Sequence, residues 1–153
     1  MTHIKRIDAT QGHLVFDLFN QYRIFYKQAP DIALARQFIQ ERLDNNESVI
    51  FVALLPDEET AVGFTQLYPK YSSARAARNW ILNDLYVETA YRKQGIGTRL
   101  IQTARAFANE NQAVFVELST AADNVTAQRL YEQIGFERQP PETDFYTYRI
   151  ATV

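Results

Sequence analysis

The chain has 153 residues, 46% of them apolar and 22% charged, which suits one globular domain and excludes a disordered segment. A net charge of −2 at pH 7 argues against a nonspecific reader of nucleic-acid phosphates, whose surface would be basic. With no cysteine there are no disulfides, cysteine nucleophiles or cysteine metal sites, and the isolated His3 and His13 predict no metal centre.

Met1 to Asp8 lacks the apolar stretch of a signal peptide and no later run approaches the ~20 residues of a membrane span, so a cytoplasmic location is expected. Ile4 to Asp8 reads as a short strand. Thr10 is placed to cap a helix over about Gln11–Lys27, in which Leu14, Leu18, Phe19, Tyr22, Phe25 and Tyr26 recur at helical spacing. Ala29-Pro30 breaks it. Asp31 caps a second helix with an apolar stripe of Leu34, Phe38, Ile39 and Leu43, which stops at Asp44-Asn45-Asn46.

Ser48–Leu55 is a buried strand by length and β-branched content. Pro56-Asp57-Glu58-Glu59 turns the chain, and Thr60–Tyr68 returns as its partner. Tyr71–Arg78, polar and alanine-rich, reads as a loop or short helical turn before a third long strand over Trp80–Val87. A helix is predicted from about Gly95 to Asn109, a strand from Ala113 to Ser119, and a helix from Asn124 to Ile134 that Gly135 terminates. Phe145–Ile150 alternates as a last strand. The order β-α-α-β-β-β-α-β-α-β predicts an α/β fold in one domain, a mixed and mainly antiparallel sheet with helices on both faces. Trp80 to Ser119 is a β-α-β unit, so its two strands should be parallel.

The chemistry concentrates where the third long strand enters the next helix, at Arg92-Lys93-Gln94-Gly95-Ile96-Gly97. The first N–H groups of a helix lack intrahelical partners and carry partial positive charge, and two glycines keep side chains away from an approaching anion. A dinucleotide fingerprint would need glycine at Leu100, and a Walker A motif would need Lys-Ser/Thr after Gly97 in place of Thr98-Arg99. Arg-x-x-Gly-x-Gly after a strand instead resembles the acetyl-CoA-binding segment of the GNAT superfamily of N-acetyltransferases. Asn124-Val125-Thr126-Ala127-Gln128-Arg129-Leu130-Tyr131-Glu132-Gln133-Ile134-Gly135-Phe136 is similar to that family's Asn-x-x-Ala-x-x-Leu-Tyr-x-x-x-Gly-Phe helix. The two motifs occur in the family's order with one predicted strand between them.

The resemblance implies roles for particular residues. Backbone N–H groups over Lys93, Gln94, Gly95, Ile96, Gly97 and Thr98 hold the coenzyme A pyrophosphate, with Arg92, Lys93 and Arg99 as neighbouring cations. Main-chain groups of Leu85, Tyr86 and Val87 pair with the pantetheine amides as an added strand would. Asn124 reaches the cofactor, caps its helix, or does both. Tyr131 is either a packed core tyrosine or the phenol that protonates the departing thiolate; a donor near pKa ~10 suits a thiolate whose acid is near ~8.5.

The attacking amine must be neutral, and an alkylamine near pKa ~10.4 is protonated at neutral pH, so a base is expected. Asp84 is the first choice as base or ammonium anchor, against the alternative that it pairs within the fold. Glu88 and Glu117 stand in reserve, and some relatives carry glutamate where this chain has Asn83. Strict alternation puts Asp84 on the face of Leu82 and Tyr86, unless a bulge intervenes. The family's acceptor region nominates Tyr22, Tyr26, Tyr71 and Trp80 as an aromatic wall able to hold an alkylammonium by cation–π attraction, against the reading that they are core. The implied activity is acetyl-CoA-dependent N-acetyl transfer to a primary amine of a small molecule by direct attack in a ternary complex. A protein acceptor (lysine or N-terminus), a noncatalytic acyl-CoA sensor, and a homodimer remain open alternatives.

Overall fold

The β-branched run Val49-Ile50-Phe51-Val52-Ala53-Leu54 forms the most completely buried strand of the sheet, with every residue hidden from solvent. A computed structural model describes residues 1–153. The chain divides into two units, Met1–Ser119 and Thr120–Val153. The first holds β1 (His3–Arg6), α1 (Phe16–Phe25), α2 (Ile32–Asp44), β2 (Val49–Leu54), β3 (Ala61–Ser72), β4 (Ala77–Val87), α3 (Ile96–Glu110) and β5 (Val116–Glu117). The strands form one sheet in the order β1-β2-β3-β4-β5, antiparallel except for the parallel β4–β5 pair. No helix is long and apolar enough to cross a membrane.

Strand alternation divides the core between the two sheet faces. Ile50, Val52, Leu54 and Phe64 pack with Leu18 and Phe19 of α1 and Ala35 and Ile39 of α2. On the other face, Phe51 and Trp80 meet Phe107 of α3 edge-on, at 5.9 and 5.1 Å between ring centroids.

Several local expectations change. Thr10 does not cap a helix: its N–H and hydroxyl both donate to Asp8 Oδ1, closing a turn. A short 3₁₀ turn over Gly12–Leu14 follows before α1 begins. Asp31 does cap α2, its Oδ1 accepting from the Leu34 N–H at 3.0 Å, although Leu34 itself is exposed. Tyr71–Arg78 is not a loop, because β3 and β4 extend past it to Ser72↔Ala77 with Tyr71 opposite Arg78.

The second unit contains α4 (Val125–Ile134), closed by Gly135 at φ 120°, a left-handed position that favours glycine. The strand expected at Phe145–Ile150 is not formed. Alternation makes a strand only where a neighbour completes the hydrogen-bond ladder; residues 137–153 have no regular structure, and Phe145, Tyr146, Tyr148 and Ile150 are exposed.

Candidate active site

The end of β4 presents main-chain groups along an open edge. Glu88 donates its N–H to Val62 O at 2.9 Å, which makes Val87↔Gly63 a non-hydrogen-bonded pair. By alternation Leu85↔Thr65 is another, so the N–H and C=O of Leu85 and Val87 point away from β3. On that side β5 pairs only with Trp80 and Ile81, and no strand covers Leu82 to Val87. Tyr86 differs: its main chain bonds to β3, so it is not available to an added strand as the sequence suggested. Its ring lies toward α1, and its hydroxyl donates to Gln21 Oε1 at 3.3 Å.

From Val87 the chain passes through a 3₁₀ turn at Thr89–Tyr91 and enters α3. Lys93 (φ 62°) and Gly95 (φ 80°) both adopt left-handed backbone, which is costly for lysine and natural for glycine. No side chain caps α3 and no acidic residue occupies its first turn. The N–H groups of Ile96, Gly97 and Thr98 therefore precede the first helical bond, which runs from Arg99 N to Gly95 O. A Cβ added at Gly95 or Gly97 would meet no protein atom within 4 Å. Packing does not demand glycine at position 97, and the space above it is open. Uncapped donors facing open space fit a diphosphate.

The cations nearby are arranged differently from the sequence expectation. Arg99 is committed elsewhere: its guanidinium donates to Thr2 Oγ1 and Thr2 O at 2.6 and 2.9 Å, tying α3 to the chain start. Arg92 donates from Nε to Val87 O at 2.8 Å and lies over the rings of Tyr86 and Phe25, 5.5 and 5.9 Å from their centroids. Lys93, like Arg92, is exposed at the corner.

The β3–β4 register slips between Gln66↔Asp84 and Leu67↔Leu82, leaving Asn83 as the bulged residue. Strict alternation therefore fails here. Asp84 shares a face with Gln66 and Tyr86, toward α1, whereas Leu82 and Trp80 lie on the α3 side. Asp84 is 2% exposed and makes no ion pair with any Lys, Arg or His. Gln66 Nε2 donates to its Oδ2 at 2.6 Å and Asn83 Nδ2 to its Oδ1 at 2.8 Å. Ser48 Oγ in turn donates to Gln66 Oε1 at 2.7 Å, so the buried polar chain is satisfied. Burial pushes the Asp84 carboxyl up, with the donors from Asn83, Gln66 and Tyr22 opposing. Burial and the nearby Asp84 also push up the phenols of Tyr22 and Tyr68. Sequence reading missed Gln66, Ser48 and Tyr68; the available signal was a glutamine in the otherwise apolar run Phe64-Thr65-Gln66-Leu67.

Of the four aromatic residues expected to form a wall, two come together. The Tyr22 ring lies tilted by 54° to that of Tyr26, 4.8 Å between centroids, and the Tyr22 hydroxyl donates to Asn83 O at 3.3 Å. Phe25, beside Tyr26 and Tyr86, extends this surface. Trp80 does not join it, being buried against Phe107 on the opposite sheet face. Tyr71 is exposed at the far end of the β3–β4 hairpin, five residues or roughly 17 Å along the strand from Gln66. Of the reserve carboxylates, Glu117 is engaged by Lys70 Nζ at 2.5 Å, and Glu88 begins the turn after β4.

Within the second unit, Asn124 Oδ1 accepts from the Ala127 N–H at 3.1 Å, so the capping role holds and the amide nitrogen is not used by the cap. Tyr131 is half-buried on α4, its ring edge-on to Phe136 at 5.9 Å.

A mixed α/β sheet whose β4 and β5 pair over two residues only thus stands beside an uncapped helix start suited to a phosphate-bearing ligand. Comparison with known proteins agrees. A model of the acetyltransferase (GNAT) family matches residues 13–136. The chain is 41% identical over 146 residues to the uncharacterized N-acetyltransferase YhfO of Bacillus subtilis (strain 168), covering 95% of each protein. A crystal structure of a probable acetyltransferase superposes with TM-score 0.88 at 40% identity, covering 97% of this chain and 98% of that one. The aminoglycoside N-acetyltransferase AAC(6')-Iy, solved in complex with CoA, shares the fold with TM-score 0.78 at 18% identity over 98% of this chain and 96% of that one. The chain belongs to the acetyltransferase (GNAT) family.

Proposed function

We propose that the protein transfers the acetyl group of acetyl-CoA to a primary amine of a small molecule, by direct attack with both substrates bound. The observation that carries this reading is Asp84, a buried carboxyl without a cationic partner on the strand whose open edge leads into the uncapped helix. Such a group can accept a proton from an alkylammonium, and burial keeps its proton affinity closer to that of the acceptor than an exposed aspartate's would be. Tyr22 and Tyr26 supply an aromatic surface for the cation.

Acetyl-CoA, when bound, supplies an activated thioester. The N–H groups of Ile96, Gly97 and Thr98, with Lys93, hold its diphosphate, and the outward main-chain groups of Leu85 hold its amide arm. The Val87 N–H polarises the acyl oxygen. Positioning two substrates in one site supplies much of the acceleration. Asn124 and Tyr131 complete the assignment, Asn124 as a cofactor contact and Tyr131 as the acid for the departing thiolate. On this reading residues 1–153 act as one catalytic domain, with the family match covering residues 13–136, and the setting is the cytoplasm.

The deciding experiment measures free thiol released from acetyl-CoA against polyamines, amino acids, aminoglycosides and lysine peptides. Turnover with at least one small amine is expected. Turnover with peptides alone reassigns the acceptor to protein, and tight coenzyme binding without turnover on any amine reassigns the chain as a sensor. The diphosphate corner has its own test. Gly97→Leu should weaken coenzyme A binding tenfold or more in a calorimetric titration without lowering the melting temperature, because leucine is the better helix former and the space is clear of protein. Equal affinity in the variant contradicts the assignment.

A further inference from the structure

Asp84 is placed to accept a proton but not to touch the acceptor. Its side chain lies under the β4 bulge, with Gln66 filling one carboxyl oxygen and Asn83 the other, and only 2% of the residue reaches solvent. Tyr22 of α1 approaches from the helix side. Its hydroxyl lies 3.3 Å from Asn83 O, in the residue next to Asp84, and opposes the upward push of burial on the Asp84 carboxyl, while its ring forms part of the half-exposed aromatic surface with Tyr26. The half-buried Tyr22 phenol thus lies between that surface and the buried carboxyl.

We infer that Tyr22 is a catalytic proton relay between the acceptor ammonium and Asp84. The inference rests on the reading of Asp84 as the base and adds the residue through which that base acts. In the transfer, an N–H bond of the ammonium breaks as a new O–H bond forms on Tyr22. The phenol's original O–H bond breaks at the same time, and its proton bonds to an Asp84 carboxyl oxygen. The products are a neutral amine, an unchanged phenol and a protonated Asp84, with no co-reactant needed. The hydroxyl needs only to turn from Asn83 O toward the carboxyl, a soft rotation for a phenol O–H. Moving both protons together avoids a free phenolate, which burial and the adjacent carboxylate disfavour.

The other titratable groups around the pair do not offer a competing path. Tyr68 on β3 feels the charge of Asp84, but unlike Tyr22 it contributes no hydrogen bond to that carboxyl, and Arg42 of α2 acts on Tyr68. Tyr26, just past the end of α1, interacts with Tyr22 rather than with Asp84.

The test compares Tyr22→Phe, Asp84→Asn and the double variant, using whichever alkylamine of the panel turns over and a fluorinated analogue of it whose nitrogen is already neutral at the assay pH. Tyr22→Phe is expected to lower kcat/KM for the alkylamine by about 10- to 100-fold. The double variant should be no slower than the slower single variant, because both changes interrupt one path. With the fluorinated amine, which has no proton to surrender before attack, the loss in Tyr22→Phe should fall to about threefold or less. Equal losses with the two amines, or multiplicative losses in the double variant, overturn the relay and leave Tyr22 as packing. Full activity in Tyr22→Phe with a large loss in Asp84→Asn overturns the relay alone. Full activity in Asp84→Asn overturns the base assignment beneath it.

Discussion

Asp84→Asn should lower kcat/KM for an alkylamine acceptor by about 10²- to 10⁴-fold, the usual worth of a positioned proton acceptor. The substitution nearly preserves shape, and an amide cannot take up the proton. With Asp84 in the proposed role, wild-type activity requires the ionised carboxyl, so kcat/KM should rise with pH along a limb above the ordinary carboxylate range, in the direction burial pushes this group. The variant should lack that limb. A stability measurement gives an independent check of the same physics. A carboxyl whose pKa is raised by folding contributes stability that is fully present below its unfolded value of about 3.9 and is lost as pH rises through the folded value. Asparagine has no charge to desolvate, so the melting temperature of Asp84→Asn relative to wild type should increase as pH is raised. A difference independent of pH means that Asp84 is not pushed up by its surroundings.

Tyr131→Phe should reduce turnover tenfold or more while coenzyme A affinity stays nearly unchanged. The phenyl ring keeps the edge-on contact with Phe136, so the packing of α4 is retained and only the hydroxyl is lost. Without that donor the thiolate departs unprotonated, which slows the step in which the carbon–sulfur bond breaks. Single-turnover kinetics with several acyl thioesters separates this from a binding effect: the better the thiolate leaving group, the smaller the loss should be. Unchanged turnover removes Tyr131 from the mechanism.

The surroundings of Tyr131 are more legible in the chain without its fold than those of Asp84. Tyr131 and Asn124 sit in a contiguous helical motif, where spacing alone fixes neighbours. The cap by Asn124 and the left-handed Gly135 follow from the same local rules. The glycine corner is legible for a similar reason, since an uncapped helix start with no acidic first turn can be read along a single stretch of chain. Local reading misleads where two local partners compete. Thr10 has the chemistry of a cap, but Asp8, two residues away, takes both of its donors.

The helical periodicities, the buried β2 run, the order of elements as far as α4 and the glycine corner all follow from interactions between residues near one another in sequence, so the amino acids alone specify them. Three features depend on contacts between distant segments. A bulge at Asn83 turns Asp84 toward α1 and sends Trp80 to the other face, because register is a property of two strands rather than one. Arg99 turns to Thr2, 97 residues away, instead of joining Lys93 at the corner. Gln66, itself bonded by Ser48, reaches Asp84 only once β2, β3 and β4 lie side by side, and that pairing makes an isolated aspartate a buried, hydrogen-bonded carboxyl.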